Sequence, residues 1–111
     1  MKESCYRIDC YVPHTHLEKV KEALFAAGAG CLGNYRNCCF SFPGEGEFCP
    51  EEGAEPFLGS AGKKEVVKEW KIEILCPESC LRNALLAMLE AHPYETPAYQ
   101  YFPVQISLPE K

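Results

Sequence analysis

Residues 5–12 alternate strictly: Tyr6, Ile8, Cys10 and Val12 fall in one phase, Arg7, Asp9 and Tyr11 in the other. A period of two marks a strand with one buried face. Pro13 cannot donate to a ladder and closes it. Thr15-His16-Leu17-Glu18 then has the S/T-x-x-E form of a capping box, which predicts a helix start. Leu17, Val20, Leu24 and Ala27 recur at three- and four-residue spacing, with Glu18, Lys19, Lys21 and Glu22 opposite, so one stripe packs and the rest is wet. Gly28-Ala29-Gly30 ends the helix. The pattern then recurs: residues 65–75 form a long strand pattern with Trp70, Ile72, Ile74 and Cys76 in phase, and Pro77 closes it. Leu81, Ala84, Leu85, Met88 and Leu89 form the stripe of a second helix that ends near His92-Pro93. A further strand is predicted after each helix, at 34–42 and 98–106.

The recurrence is residue by residue. Tyr6-Arg7-Ile8-Asp9 answers to Trp70-Lys71-Ile72-Glu73, Leu17 to Leu81, Ala23-Leu24 to Ala87-Met88, and Gly33-Asn34-Tyr35 to Pro97-Ala98-Tyr99, all 64 positions apart. A duplicated strand-helix-strand unit gives an α+β, ferredoxin-like βαβ-βαβ sandwich: a four-stranded antiparallel sheet with both helices on one face. Its other face is expected to carry Tyr11, Leu75 and Tyr99 or Tyr101 beside Arg7, Asp9, Lys71 and Glu73, a mixture that suits a subunit contact. Between Phe42 and Lys63 about twenty residues rich in Gly, Pro and Glu show no period, and loops of that length are usually functional or mobile. Phe48 and Phe57 argue that this one is ordered and reaches a neighbouring subunit or covers a small cleft.

The 111 residues suffice for a single domain, 1–111, burying roughly two thirds of its unfolded surface. No run of 18 apolar residues and no signal peptide is encoded, so no membrane partner is expected and the location is expected to be cytoplasmic. A net charge of −5 argues against nucleic acid. Eight cysteines without a secretory context read as reduced thiols, Cys10 and Cys76 among them as core filler.

Candidate chemistry is sparse. Cys38-Cys39, Cys76-x3-Cys80 and His14-x-His16 are isolated pairs that do not make the paired spacings of a zinc site. A site assembled across chains would favour copper(I) or zinc. Cys80 lies at a helix start, where the macrodipole favours thiolate, but C-x-x-C is absent. In His92-Pro93-Tyr94-Glu95-Thr96-Pro97 two prolines hold His92, Tyr94 and Glu95 in a defined turn, suited to bridging protomers rather than to proton transfer.

Three separated runs carry a resemblance: 28–35, the loop 44–59, and Ala91-His92-Pro93-Tyr94-Glu95-Thr96-Pro97-Ala98-Tyr99. Together they resemble the CutA/PII-like domain inserted in bacterial Nif-three-like proteins of the YqfO type, here as a stand-alone chain. The resemblance implies a domain that associates, often as trimers, with the long loop where PII proteins carry a ligand-sensing loop. It also implies that the dinuclear metal site of the main domain is not inherited. The expected function is a non-catalytic, homo-oligomeric (trimeric or dimeric) binding or regulatory module without a cofactor, taking a small-molecule or metal ligand. Gly33, Asn34, Tyr35, Glu73, His92, Tyr94 and Glu95 are the candidate ligand-binding residues. The rival expectation is a copper, zinc or thiol-redox protein using Cys38, Cys39, Cys49 and His92.

Overall fold

The computed structural model describes residues 4–106. Its elements are β1 (Cys5–Pro13), α1 (Leu17–Ala26), β2 (Phe40–Phe48), β3 (Glu65–Pro77), α2 (Glu78–Ala91) and β4 (Tyr99–Val104). All strand pairs are antiparallel, in the order β2-β3-β1-β4. Ile8, Cys10 and Val12 from β1 and Ile72, Ile74 and Cys76 from β3 meet Val20 and Leu24 of α1 and Ala84 and Met88 of α2 in one core. These are the phases and stripes that the sequence periodicity marked. Burial raises the Cys10 thiol to about 12, so it remains a protonated, inert core group.

The central pair carries the internal repeat in its register. Arg7 faces Leu75, Asp9 faces Glu73 and Tyr11 faces Lys71. Asp9 and Glu73 are repeat equivalents, so a local twofold axis passes between them and sets two carboxylates side by side. Like charges directly opposite one another destabilise a sheet, and a second equivalent pair, Arg7 and Lys71, removes the conflict. Arg7 holds Asp9 through two parallel bonds, Nε–Oδ1 at 2.9 Å and Nη2–Oδ2 at 3.1 Å, and reaches Glu73 at 3.7 Å. Lys71 reaches Glu73 at 3.1 Å and Asp9 at 3.6 Å. Asp9 is only 2 % exposed. Burial alone would raise its pKa; hydrogen bonds from Arg7 and Gln100 and the charges of Arg7 and Lys71 outweigh that and hold it below its ordinary 3.8.

The outer strands follow a different phase. Arg7 faces Phe102 on β4 and Lys71 faces Phe42 on β2, so Phe42 and Phe102, 60 positions apart, are the structural equivalents. Each ring lies under its cation, Arg7 at 4.8 Å and Lys71 at 5.7 Å. The expected strand at 34–42 is therefore displaced to Phe40–Phe48, and the first six residues of the expected loop, 43–48, are strand. The slip arises because the first helix-to-strand connection holds an extra turn, Leu32–Tyr35, closed by two backbone bonds of 2.8 and 2.9 Å. Pro43 is tolerated because β2 lies at the sheet edge.

Two other expectations are corrected. Tyr99 faces Cys10 and Tyr101 faces Ile8, which puts both in the helix-side phase; Gln100 and Phe102 occupy the open face instead. The capping box does not form, because a short 3₁₀ turn, His14–His16, precedes α1 and moves its N-cap to His16, which has no side-chain cap bond. Thr15 Oγ1 contacts His16 Nδ1 at 2.9 Å instead.

The extra turn depends on Gly30, which has φ +84 and where a Cβ would lie 2.8 Å from the Cys38 carbonyl oxygen. Gly30→Ala is expected to cost about 1–3 kcal/mol in urea denaturation. Gly33→Ala, at φ +58 with open space around it, is expected to cost less.

Candidate functional site

The corner after α2 is fixed by its own backbone chemistry. His92 N–H caps the helix by donating to the Met88 carbonyl at 3.0 Å, and His92 then turns extended, as a residue before proline must. Its ring is brought under β1, 6 % exposed. The Tyr94 N–H donates to His92 Nδ1 at 3.2 Å, so Nδ1 is the acceptor; Nε2, 2.7 Å from the Tyr11 carbonyl, must carry the proton. These partners assign a neutral imidazole with both nitrogens engaged. Burial lowers the His92 pKa and outweighs the opposing pull of the Tyr11 carbonyl and of Glu69.

Tyr94 follows on the same corner. Its hydroxyl donates to Glu69 Oε2 at 2.8 Å, and burial together with that carboxylate raises the phenol's pKa, so it remains a donor. Glu69 comes from β3, beside the outer strand, where its carboxylate fills the place a side chain at Gly46 would take. Glu95 Oε1 accepts the Glu55 N–H at 2.9 Å, tying the corner to the tip of the β2–β3 hairpin. The tip folds back in turn: Gly62 N–H donates to the Pro50 carbonyl at 2.8 Å, and Phe57 packs against His16 and Tyr94 at 5.3 and 6.3 Å. Between tip, corner and sheet lies a cleft of about 390 Å³, walled by Tyr11, Phe48, Phe57 and Tyr94 with Glu47, Glu69 and Glu95 in its lining.

Of the seven candidate residues, the structure brings His92, Tyr94 and Glu95 together. Tyr94 and Glu95 line the cleft, while His92 supports it from behind. Gly33, Asn34 and Tyr35 form the exposed tip of the extra turn, Tyr35 being 75 % exposed, and are absent from the cleft lining. Glu73 belongs to the charge quartet of the open face. Glu69 escaped sequence reading because it falls in the charged phase of its strand; the sole local sign was the pair Gly44 and Gly46 in a segment that did not look like a strand.

The thiol set does not converge. Cys38-Cys39 and Cys49 flank the nine-residue β2, which separates Cys39 from Cys49 by roughly 30 Å at the rise of a strand. His92 has both nitrogens engaged, so the expected grouping of Cys38, Cys39, Cys49 and His92 is not formed within one protomer. Among the described residues no three His, Cys, Asp or Glu side chains are placed to hold a metal ion, and none of the eight cysteines is in a disulfide. No helix of the described residues is long and apolar enough to cross a membrane.

Comparison with models of known protein families gives no match. A protein of Halalkalibacterium halodurans named GTP cyclohydrolase 1 type 2 homolog is 48% identical over 102 residues, covering 92% of this chain and 27% of its own length. A protein of the same name from Bacillus subtilis is 42% identical over 105 residues, covering 95% of this chain and 28% of its own. The chain thus spans about a quarter of the length of the curated relatives it matches. Among solved structures, the Bacillus cereus protein related to NIF3 superposes with TM-score 0.80 at 42% identity, over 94% of this chain and 26% of that one. CutA of Archaeoglobus fulgidus gives 0.67 at 19% identity over 94% and 87%, and GlnK of B. subtilis 0.61 at 12% over 91% and 85%. The latter two share the fold, which is CutA/PII-like.

The buried neutral His92 gives the fold a pH dependence. The native imidazole binds a proton less readily than the unfolded one, whose ordinary value is 6.5, so stability falls as pH drops below about 6.5. Asp9, held below 3.8, stabilises the fold at neutral pH and loses that contribution only as pH falls below about 3.8, which separates the two windows. Thermal unfolding between pH 7.5 and 5 is expected to show the loss, and His92→Gln is expected to remove most of that slope.

Proposed function

We propose, from the premise that this chain is homologous to one segment of the NIF3-related GTP cyclohydrolase 1 type 2 homologues, that it is a self-associating binding or regulatory module with no chemistry of its own. It acts as one CutA/PII-like domain. The observation that carries this reading is the uncovered sheet face. There the four charges of Arg7, Asp9, Lys71 and Glu73 satisfy one another, while Phe40 at 65 %, Phe42 at 39 % and Phe102 at 36 % stay exposed around them. A surface with neutralised charge and outward rings resembles a subunit interface more than a solvated face.

The corner supports the non-catalytic part. Neither nitrogen of His92 is free to act as a general base, and the Tyr94 hydroxyl is committed to Glu69. The name shared by the relatives concerns proteins more than three times as long. Their reaction is not transferred to this segment.

Light scattering behind size exclusion at micromolar concentration is expected to give a dimer or trimer, and Phe42→Glu with Phe102→Glu is expected to shift it to monomer. A wild-type monomer overturns the assembly claim. Incubation with GTP is expected to leave the nucleotide intact; turnover that follows the purified chain and is lost in Glu69→Gln overturns the non-catalytic one.

A further inference from the structure

The cleft behind the hairpin tip combines two features that recognise the same kind of ligand. Aromatic rings carry partial negative charge on their faces and attract cations. Tyr94 is packed within 5.8 Å of Phe48 and 6.3 Å of Phe57, so three rings share one wall. Glu47, Glu69 and Glu95 add three carboxylates, and the lining contains no Lys, Arg or His.

The charges are also available. Among the described residues, neither Glu69 nor Glu95 has a basic side chain within 4 Å. Each accepts a hydrogen bond through a single oxygen, Glu69 from a phenol and Glu95 from a backbone N–H, and the second Glu69 oxygen packs beside Gly46, so neither charge is neutralised by a cation. Glu47 pairs with Lys64 at 3.3 Å, but both are well exposed and such a pair exchanges readily. A phosphate would meet repulsion and no cationic partner here, whereas an ammonium or guanidinium would meet carboxylates and ring faces together. The volume, about 390 Å³, lies at the small end of ligand pockets.

The geometry points to a binding site for a small organic cation, an ammonium or guanidinium compound, in this cleft. The assignment rests on the binding-module reading above and names its ligand class.

Agmatine, which carries both groups on a short chain, is the probe, with 1,4-butanediol as the uncharged control and GTP as the anionic one. Titration calorimetry is run in about 150 mM salt, where the Debye length is near 8 Å and diffuse attraction to the acidic chain is screened. Saturable binding of one agmatine per protomer is expected, with none for the diol or GTP. Glu69→Gln, Glu95→Gln and Phe57→Ala are each expected to raise Kd at least tenfold, the last two at exposed positions outside the core. Glu45→Gln, on β2 outside the cleft, is expected to leave Kd unchanged. Absence of saturable binding, equal weakening by Glu45→Gln, or GTP binding as tight as agmatine overturns the assignment. A folded oligomer that ignores agmatine overturns this assignment alone, whereas a monomer overturns the assembly reading and leaves the cleft to be judged by the titration.

Discussion

The pairing of β1 with β3 across the Asp9–Glu73 axis is the constraint from which the rest follows. A one-residue slip would turn Ile8, Cys10, Ile72 and Ile74 out of the core, so the register is held by apolar burial on one face. The same register forces two carboxylates together on the other face. Arg7 and Lys71 resolve that conflict symmetrically, one from each repeat, and Phe102 and Phe42 cover the cations in turn. The open face is thus a consequence of how a duplicated unit meets itself.

The cleft arises where the duplication is broken. The first half carries an extra turn at Leu32–Tyr35 and a second strand that runs on into a long hairpin; the second half instead makes a tight corner between Pro93 and Pro97. The cleft lies where the hairpin tip of one half meets the corner of the other. Neither half could form it alone. Most of its lining comes from the divergent parts of the two repeats, with Tyr11 of β1 and Glu69 of β3 added from the shared strands.

Within that corner, His92 shows how a residue that looks reactive in sequence becomes structural. Its two hydrogen bonds join the end of α2 to the main chain of β1, and they orient Tyr94 toward Glu69. The groups that face the cleft are therefore rings and carboxylates, with no imidazole among them.

Local periodicity alone determined the two central strands, both helices, their core-facing stripes and the repeat that relates them, because each of those segments buries one face and must show it in its pattern. The sequence also singled out Tyr94 and Glu95 through the flanking prolines, whose restriction of the backbone is local. Only the tertiary structure decided the rest. Pro43 and Gly44-Glu45-Gly46 have little strand propensity of their own and are strand because β3 extends far enough to pair with them. The partnership of Glu69 with Tyr94 and the wide separation of Cys39 from Cys49 follow from that longer hairpin, and Tyr99 lies on the core side because it pairs with Cys10 of β1. Such outcomes depend on partners distant in the chain, and no short window of residues contains the energy that selects them.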